Sequence, residues 1–341
     1  MSQALRRVTH SPYSSPGRHA ALLEDVSPEL PAVSATAQNV FVHYRFSTIA
    51  LPASSDDDIN ARWLSRILEI DQQRHGTPLR APRPEALRVQ GCCRDQTLLA
   101  IGVLRQHGIP ARSRVGFADY LQPGRRIDHV VAEAWLDDRW VRFDPGLALP
   151  RGRLDDPHDI PLGPGSPFLT AAAAWDGYRR RGLAIDDLGV RIGPVELTGA
   201  EFVLSLLIME VAHRFGDELL LWDGWGAMPV PGRDPDPGLG DDLARLVLAA
   251  DLGDQGAEDE LRAWYRADDR LHPAGRVMQF SPRGGPPIEI ALDTRPDDRR
   301  ANSLSREELM ALREQASADP GLRADLARIS NDTTDDLGDL R

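Results

Sequence analysis

Apolar positions recur at helical spacing through the first hundred residues and then switch to alternation. "SSDDDINARWLSRILEIDQQRHG" places Ile59, Trp63, Ile67 and Ile70 on one helical face. Ser55 is the expected cap, three aspartates fill the first turn, and Gly76 is the expected stop. Upstream, "SATAQNVFVHYR" predicts a helix capped by Ser34, and a short helix is expected over residues 19–23 of a Pro- and Ser-rich start. "TPLRAPRPEALRVQG" reads as a proline-rich loop. From Cys93 to His107 the pattern is apolar nearly all round, which predicts a buried helix. Gly108 ends it and Pro110 prevents a restart.

Alternation takes over from there. "ARSRVGF", "DHVVAEAWL" and "RWVRFDP" predict three strands, the last two joined at Asp137-Asp138. A two-residue turn there sets Leu136 opposite Arg139, Glu133 opposite Arg142 and Val131 opposite Asp144. Val130, Ala132, Ala134, Leu136, Val141 and Phe143 then form an apolar, core-side face. The other face carries His129, Val131, Glu133, Trp135, Trp140, Arg142 and Asp144. His129 and Asp144 become diagonal neighbours, about 7–8 Å apart at the backbone, a gap their side chains can close. A one-residue change in the loop would put them on opposite faces.

Residues 146–168 read as loop, and the chain beyond them is mainly helical. Thr198 and Glu201 have capping-box spacing ahead of "FVLSLLIMEVAHRF". "DDLARLVLAADL", "AEDELRAWYRADDRL" and "SREELMALREQA" are further expected helices. The expected organisation is an N-terminal extension (1–33), a core (34–160), a mainly helical C-terminal region (161–330) and an acidic tail (331–341).

A formal net charge of -12 argues against a nucleic-acid binder and against adsorption to acidic lipid. Every basic residue other than histidine is arginine. Schiff-base, phosphate-loop and general-base chemistry by lysine is therefore excluded, as is any lysine amine of this chain as acyl acceptor. The start shows no signal-peptide apolar region, and no apolar run reaches membrane-spanning length. The two cysteines are adjacent and cannot form a disulfide framework. A cytoplasmic protein with free thiols is expected.

Those cysteines are the chemical question. Cys93 opens the predicted buried helix, where unpaired N–H groups and the macrodipole favour a thiolate. A nucleophilic thiolate needs a base, and the base needs an orienting group. The predicted hairpin offers His129 and Asp144 for those roles. The backbone N–H of Cys93 is one expected oxyanion donor; Gln90 or the loop before it is a candidate for the second.

"GCCRD" opening a helix, "LRQHGIPARSRVGF", "DHVVAEAWL" and "WVRFDP", in this order and spacing over residues 85–146, resemble the transglutaminase-like superfamily. The resemblance implies an α+β, papain-related core, with the nucleophile helix packed on an antiparallel sheet. It implies Cys93 as nucleophile, His129 as general base and acid, and Asp144 as orienter of His129. The implied activity is cysteine-dependent acyl transfer through a thioester, as amidase, peptidase or amide-forming acyltransferase. The substrate would be a small-molecule, peptide or carrier-bound acyl compound. No cofactor is implied, no nucleic-acid or membrane partner is expected, and the oligomeric state is open. No D-x-D-x-D-G calcium loop is present.

Other readings stand beside these. Cys92 reads as a packing residue, or as a redox partner able to block Cys93 in a vicinal disulfide. Arg94, Asp95 and a Glu133–Arg142 pair read as structural. Trp135 and Trp140 read as core or cleft wall, and His158 as loop or lid. A zinc site from Cys92, Cys93 and His129 lacks ligand spacing and a fourth ligand. A non-catalytic binding or scaffold protein on the same fold is the alternative function.

Overall fold

The computed structural model describes residues 7–192, 195–229 and 235–292. The expected helix at 305–316 and the acidic tail lie outside the described residues. In chain order the elements are α1 (Ala20–Glu24), α2 (Leu30–Val40), β1 (Phe41–His43), α3 (Leu64–Arg74), β2 (Val89–Gly91), α4 (Cys93–Gln106), β3 (Ala111–Gln122), β4 (Arg125–Leu136) and β5 (Arg139–Phe143). Next come β6 (Phe168–Thr170), α5 (Ala171–Arg181), β7 (Val190–Ile192), β8 (Val195–Leu197), α6 (Gly199–Arg214), β9 (Asp223–Gly224), α7 (Pro237–Asp251), α8 (Gln255–Ala267), β10 (Arg276–Gln279) and β11 (Ile288–Ala291). Among the described residues no helix is long and apolar enough to cross a membrane.

The central sheet is antiparallel, in the order β5-β4-β3-β6. Asp137 and Asp138 have φ of 47° and 59°, the two positive values that a type I′ hairpin turn requires. That turn fixes the expected register: Leu136 faces Arg139 and Glu133 faces Arg142. Helix α4 packs against β3 and β4, and against α1, α2 and α3. Every residue from Cys93 to Arg105 is buried, which is why its apolar positions show no single stripe. One apolar core runs from Tyr13 through α4 and the sheet to α6, α7 and Val277.

Three local expectations are corrected. The second helix begins at Leu30, with Pro31 in its first turn, and Ser34 is buried in its interior rather than capping it. Its expected end, Phe41 to His43, leaves the helix to pair in parallel with β2. The stretch from Ser55 is a 3-10 helix (Ala53–Asn60), and α3 starts only at Leu64. Between them Arg62 is drawn into a buried bidentate pair with Asp223 at 2.6 and 2.9 Å, and Leu64 N donates to Tyr13 O at 2.7 Å. These long-range anchors override the local helical pattern. Thr198 precedes α6 as its N-cap, but its hydroxyl makes no capping hydrogen bond.

Charge joins the C-terminal helices to the sheet. Buried Glu133 on β4 accepts from Arg112 Nε at 2.6 Å and from Arg142 at 2.8 and 3.0 Å. Arg114, beside them, donates to Glu210 on α6 and to Asp251 on α7, each at 2.6 Å. The arginine charges hold Glu133 and Asp251 far below the usual carboxylate range, although burial opposes it. The expected Glu133–Arg142 pair is thus one edge of a larger buried network.

Candidate active site

Helix α4 presents Cys93 as its first residue. The Asp95 carboxylate reaches back to accept from Cys92 N at 2.8 Å and receives Arg94 NH1 at 2.9 Å. Arg94, wholly buried, also donates through Nε to Glu218 O at 3.0 Å, in the segment after α6. Both residues therefore lock the helix end that carries the thiol, as the structural reading of them expects.

The sheet brings the partners. His129 lies on β4 and Asp144 directly follows β5. His129 Nε2 is 2.7 Å from Asp144 Oδ2, and both are buried. The imidazole and the Cys93 thiol line the same cavity, and each favours the charged form of the other. With Nε2 engaged by Asp144, Nδ1 is the nitrogen left for the sulfur.

Electrostatics separate the protons. The Cys93 thiol is held well below its usual range, first by the hydrogen bond from Cys92, then by the charge and hydrogen bond of His129; burial opposes both. Cys92 is pushed well above its usual range by its interaction with Cys93 and by burial, which favours the thiol form there. Burial pulls His129 down, but the charges of Asp144 and Cys93 outweigh it and hold the imidazole well above its usual value. Both directions favour a thiolate–imidazolium pair. Both cysteines are free.

Several residues here escaped the sequence reading. Tyr120 on β3 donates its hydroxyl to Asp144 Oδ2 at 2.8 Å, and Gly146 N donates to Oδ1 at 2.9 Å. A Cβ at Gly146 would stand 2.7 Å from Gln96 Oε1, so the Gln96 side chain would have to shift to admit one. Asp144 N is itself held by Pro157 O at 2.8 Å. His43, at the end of β1, is kept neutral near Cys93, its pKa lowered by burial to about 4. Asp128 is raised by burial, then by the Cys93 charge, to about 6, and its buried Oδ1 has no hydrogen-bond partner among the described residues. Only Tyr120's place in an extended apolar alternation past Phe117 could have hinted at any of these.

Other expected neighbours are elsewhere. Gln90 spends its amide on Ser55 Oγ at 2.7 Å and Pro52 O at 3.2 Å, and it does not line the cavity. Trp135 and Trp140 pack edge to face at 5.4 Å, outside the cavity, with Arg112 over Trp140. His158 sits by Asp156, also outside it. Among the described residues no group of three or more His, Cys, Asp or Glu is placed to hold a metal ion.

Cys93, His129 and Asp144 open on a cavity of about 1500 Å³. Its wall combines the sheet side, Tyr44 to Phe46, helix α6 and the segment from Leu221 to Pro229.

A helix-borne thiol facing a histidine and an acid on an antiparallel sheet is the arrangement that a family comparison can decide. The model of the transglutaminase-like superfamily matches residues 22–145. These residues form a transglutaminase-like domain. The match runs from within α1 to the residue after Asp144, so α4, β3, β4 and β5 all belong to this α+β, papain-related domain. Two curated relatives, each named "Putative antitoxin VapB5" and both from Mycobacterium tuberculosis (strains CDC 1551 / Oshkosh and ATCC 25618 / H37Rv), are 46% identical over 57 residues. That segment is 17% of this chain, and the chain spans 64% of the length of those relatives. Among solved structures, a putative cysteine protease from Cytophaga hutchinsonii is 20% identical, with a TM-score of 0.28 over 45% of this chain and 43% of that one. The transglutaminase-like domain does not contain the whole cavity: α6, the Leu221–Pro229 segment, Met278 and Phe280 complete it from beyond residue 145.

Proposed function

We propose that the protein catalyses acyl transfer through a thioester on Cys93, with Cys93, His129 and Asp144 as its triad. The observation that carries this reading is the buried His129–Asp144 pair at 2.7 Å, opening with Cys93, the first residue of α4, on one cavity. The Cys93 thiolate attacks the carbonyl carbon of an amide or thioester. Imidazolium His129 protonates the departing amine or thiol as the bond to it breaks. The neutral imidazole then takes a proton from water or an amine, which attacks the thioester and frees Cys93. Asp144, fixed by Tyr120 and Gly146, orients His129 and stabilises its charge. Cys93 N–H, at the helix end, is the first oxyanion donor. We place the reaction in the cytoplasm, where both thiols stay reduced. Water as acceptor makes the protein a hydrolase; an amine makes it an amide-forming transferase.

Intact-mass spectrometry after mixing with an acyl thioester tests this. An added acyl mass that is lost in Cys93→Ala and kept in Cys92→Ala is the expected result. Its decay in plain buffer against amine buffer distinguishes the two acceptors. Absence of any adduct with thioesters and amides alike would leave the scaffold reading in its place.

A further inference from the structure

Beyond the triad, the cavity is far larger and more apolar than attack on a small acyl group needs. Its volume of about 1500 Å³ exceeds the range of about 300–1,000 Å³ usual for small-molecule sites. Phe202, Leu206 and Met209 line it from α6, Leu221 and Trp222 from the segment after that helix, and Met278 from β10. Leu206 and Met209 are also part of the core, so this wall is built into the fold. Asp223, buried in this wall, is neutralised by the bidentate pair with Arg62. Methionines at two of the six positions suit a wall that adapts to a flexible apolar chain. The same cavity surface includes Cys93 and His129, so a chain lying on this wall can stay attached to the reacting carbonyl.

We infer that the acyl donor carries a medium-length or long hydrocarbon chain, bound on the wall formed by α6, Leu221, Trp222 and Met278 while its carbonyl meets Cys93. The inference rests on the acyl-transfer reading and names its substrate class. Burial of each added methylene should raise the acylation rate constant at low substrate by about fourfold until the wall is filled.

The test is acylation of the native protein by N-acetylcysteamine thioesters from acetyl to decanoyl, kept below micelle-forming concentration and followed by intact mass. Second-order rate constants that climb steeply with chain length support the inference. Met278→Trp and Leu221→Trp, each checked for native melting, should then move the plateau to shorter chains. Constants that are flat or fall with length, with acetyl accepted normally, overturn the chain inference and leave the acyl-transfer reading standing. Failure of every thioester, and of the corresponding amides, to acylate Cys93 overturns the acyl-transfer reading. In that case tryptophan fluorescence of Cys93→Ala still decides the wall: saturable binding of the decanoyl thioester but not the acetyl one supports it, and equal or absent responses overturn it.

Discussion

Tyr120 Oη and His129 Nε2 meet on the same oxygen: Asp144 Oδ2 lies 2.8 Å from the first and 2.7 Å from the second. The two rings stand edge to face, with centroids 6.1 Å apart. Tyr120 therefore acts as a positioning residue for the carboxylate. Tyr120→Phe should cost about 1.5–3 kcal/mol of stability, the range for a hydrogen bond to a charged group. It should also slow acylation of Cys93 by about tenfold, because a small misplacement of a catalytic group is costly. Urea unfolding and single-turnover acylation measure the two effects separately. A stability loss with an unchanged acylation rate would show that Tyr120 only packs.

Asp144→Asn keeps the shape but removes a charge that favours the protonated form of His129. Acylation should fall by about a hundred- to ten-thousand-fold. The pH at which His129 titrates, read from its imidazole NMR signals, should drop in the same variant. An unchanged imidazole titration would mean that another group carries the charge.

Cys92 is buried beside Cys93, and its thiol favours the anionic form of Cys93 over its own. Removing a donor to an anion raises the pKa of that anion's acid. In Cys92→Ala the midpoint of the Cys93 alkylation-against-pH curve should therefore move to higher pH. No movement, or movement downward, would show that Cys92 is a packing residue alone.

Glu133 stabilises the fold by neutralising Arg112, Arg114 and Arg142. Its folded pKa is depressed, so its contribution is complete above the unfolded value near about 4.3 and is lost as pH falls toward the folded one. Glu133→Gln leaves buried guanidinium groups uncompensated and should cost about 3–5 kcal/mol at pH 7. The gap between variant and native protein should narrow below about pH 4 as the unfolded chain takes up protons. Chemical denaturation at a series of pH values checks both the size and the sign.

The site's frame was legible because its determinants are local. Asp137-Asp138 sets a two-residue turn, the turn sets the register, and the register puts His129 and Asp144 on one face. Cys93 was legible because a helix start, Gly108 and Pro110 bracket a buried helix. What stayed hidden depends on distant chain. Phe41 to His43 continues a helical apolar pattern, and only its pairing with β2, some fifty residues later, makes it a strand. Arg62 breaks a helix because of Asp223. Tyr120 and His43 reach the Cys93–His129–Asp144 cluster through strand length and a parallel pairing that no local pattern records. The cavity wall comes from α6 and β10, outside the stretch whose spacing carries the chemistry.

The central claim is that Cys93 is a thiolate paired with an imidazolium, beside a Cys92 that stays protonated. Iodoacetamide alkylation at pH 6, with peptide mapping of both cysteines, tests it most directly. An ordinary thiol, with a pKa of about 8.5, is well under about 1% ionised there and reacts slowly. Cys93 should be alkylated many times faster than Cys92, and His129→Ala should shrink the difference. Equal, slow labelling of both cysteines in the native protein would contradict the account.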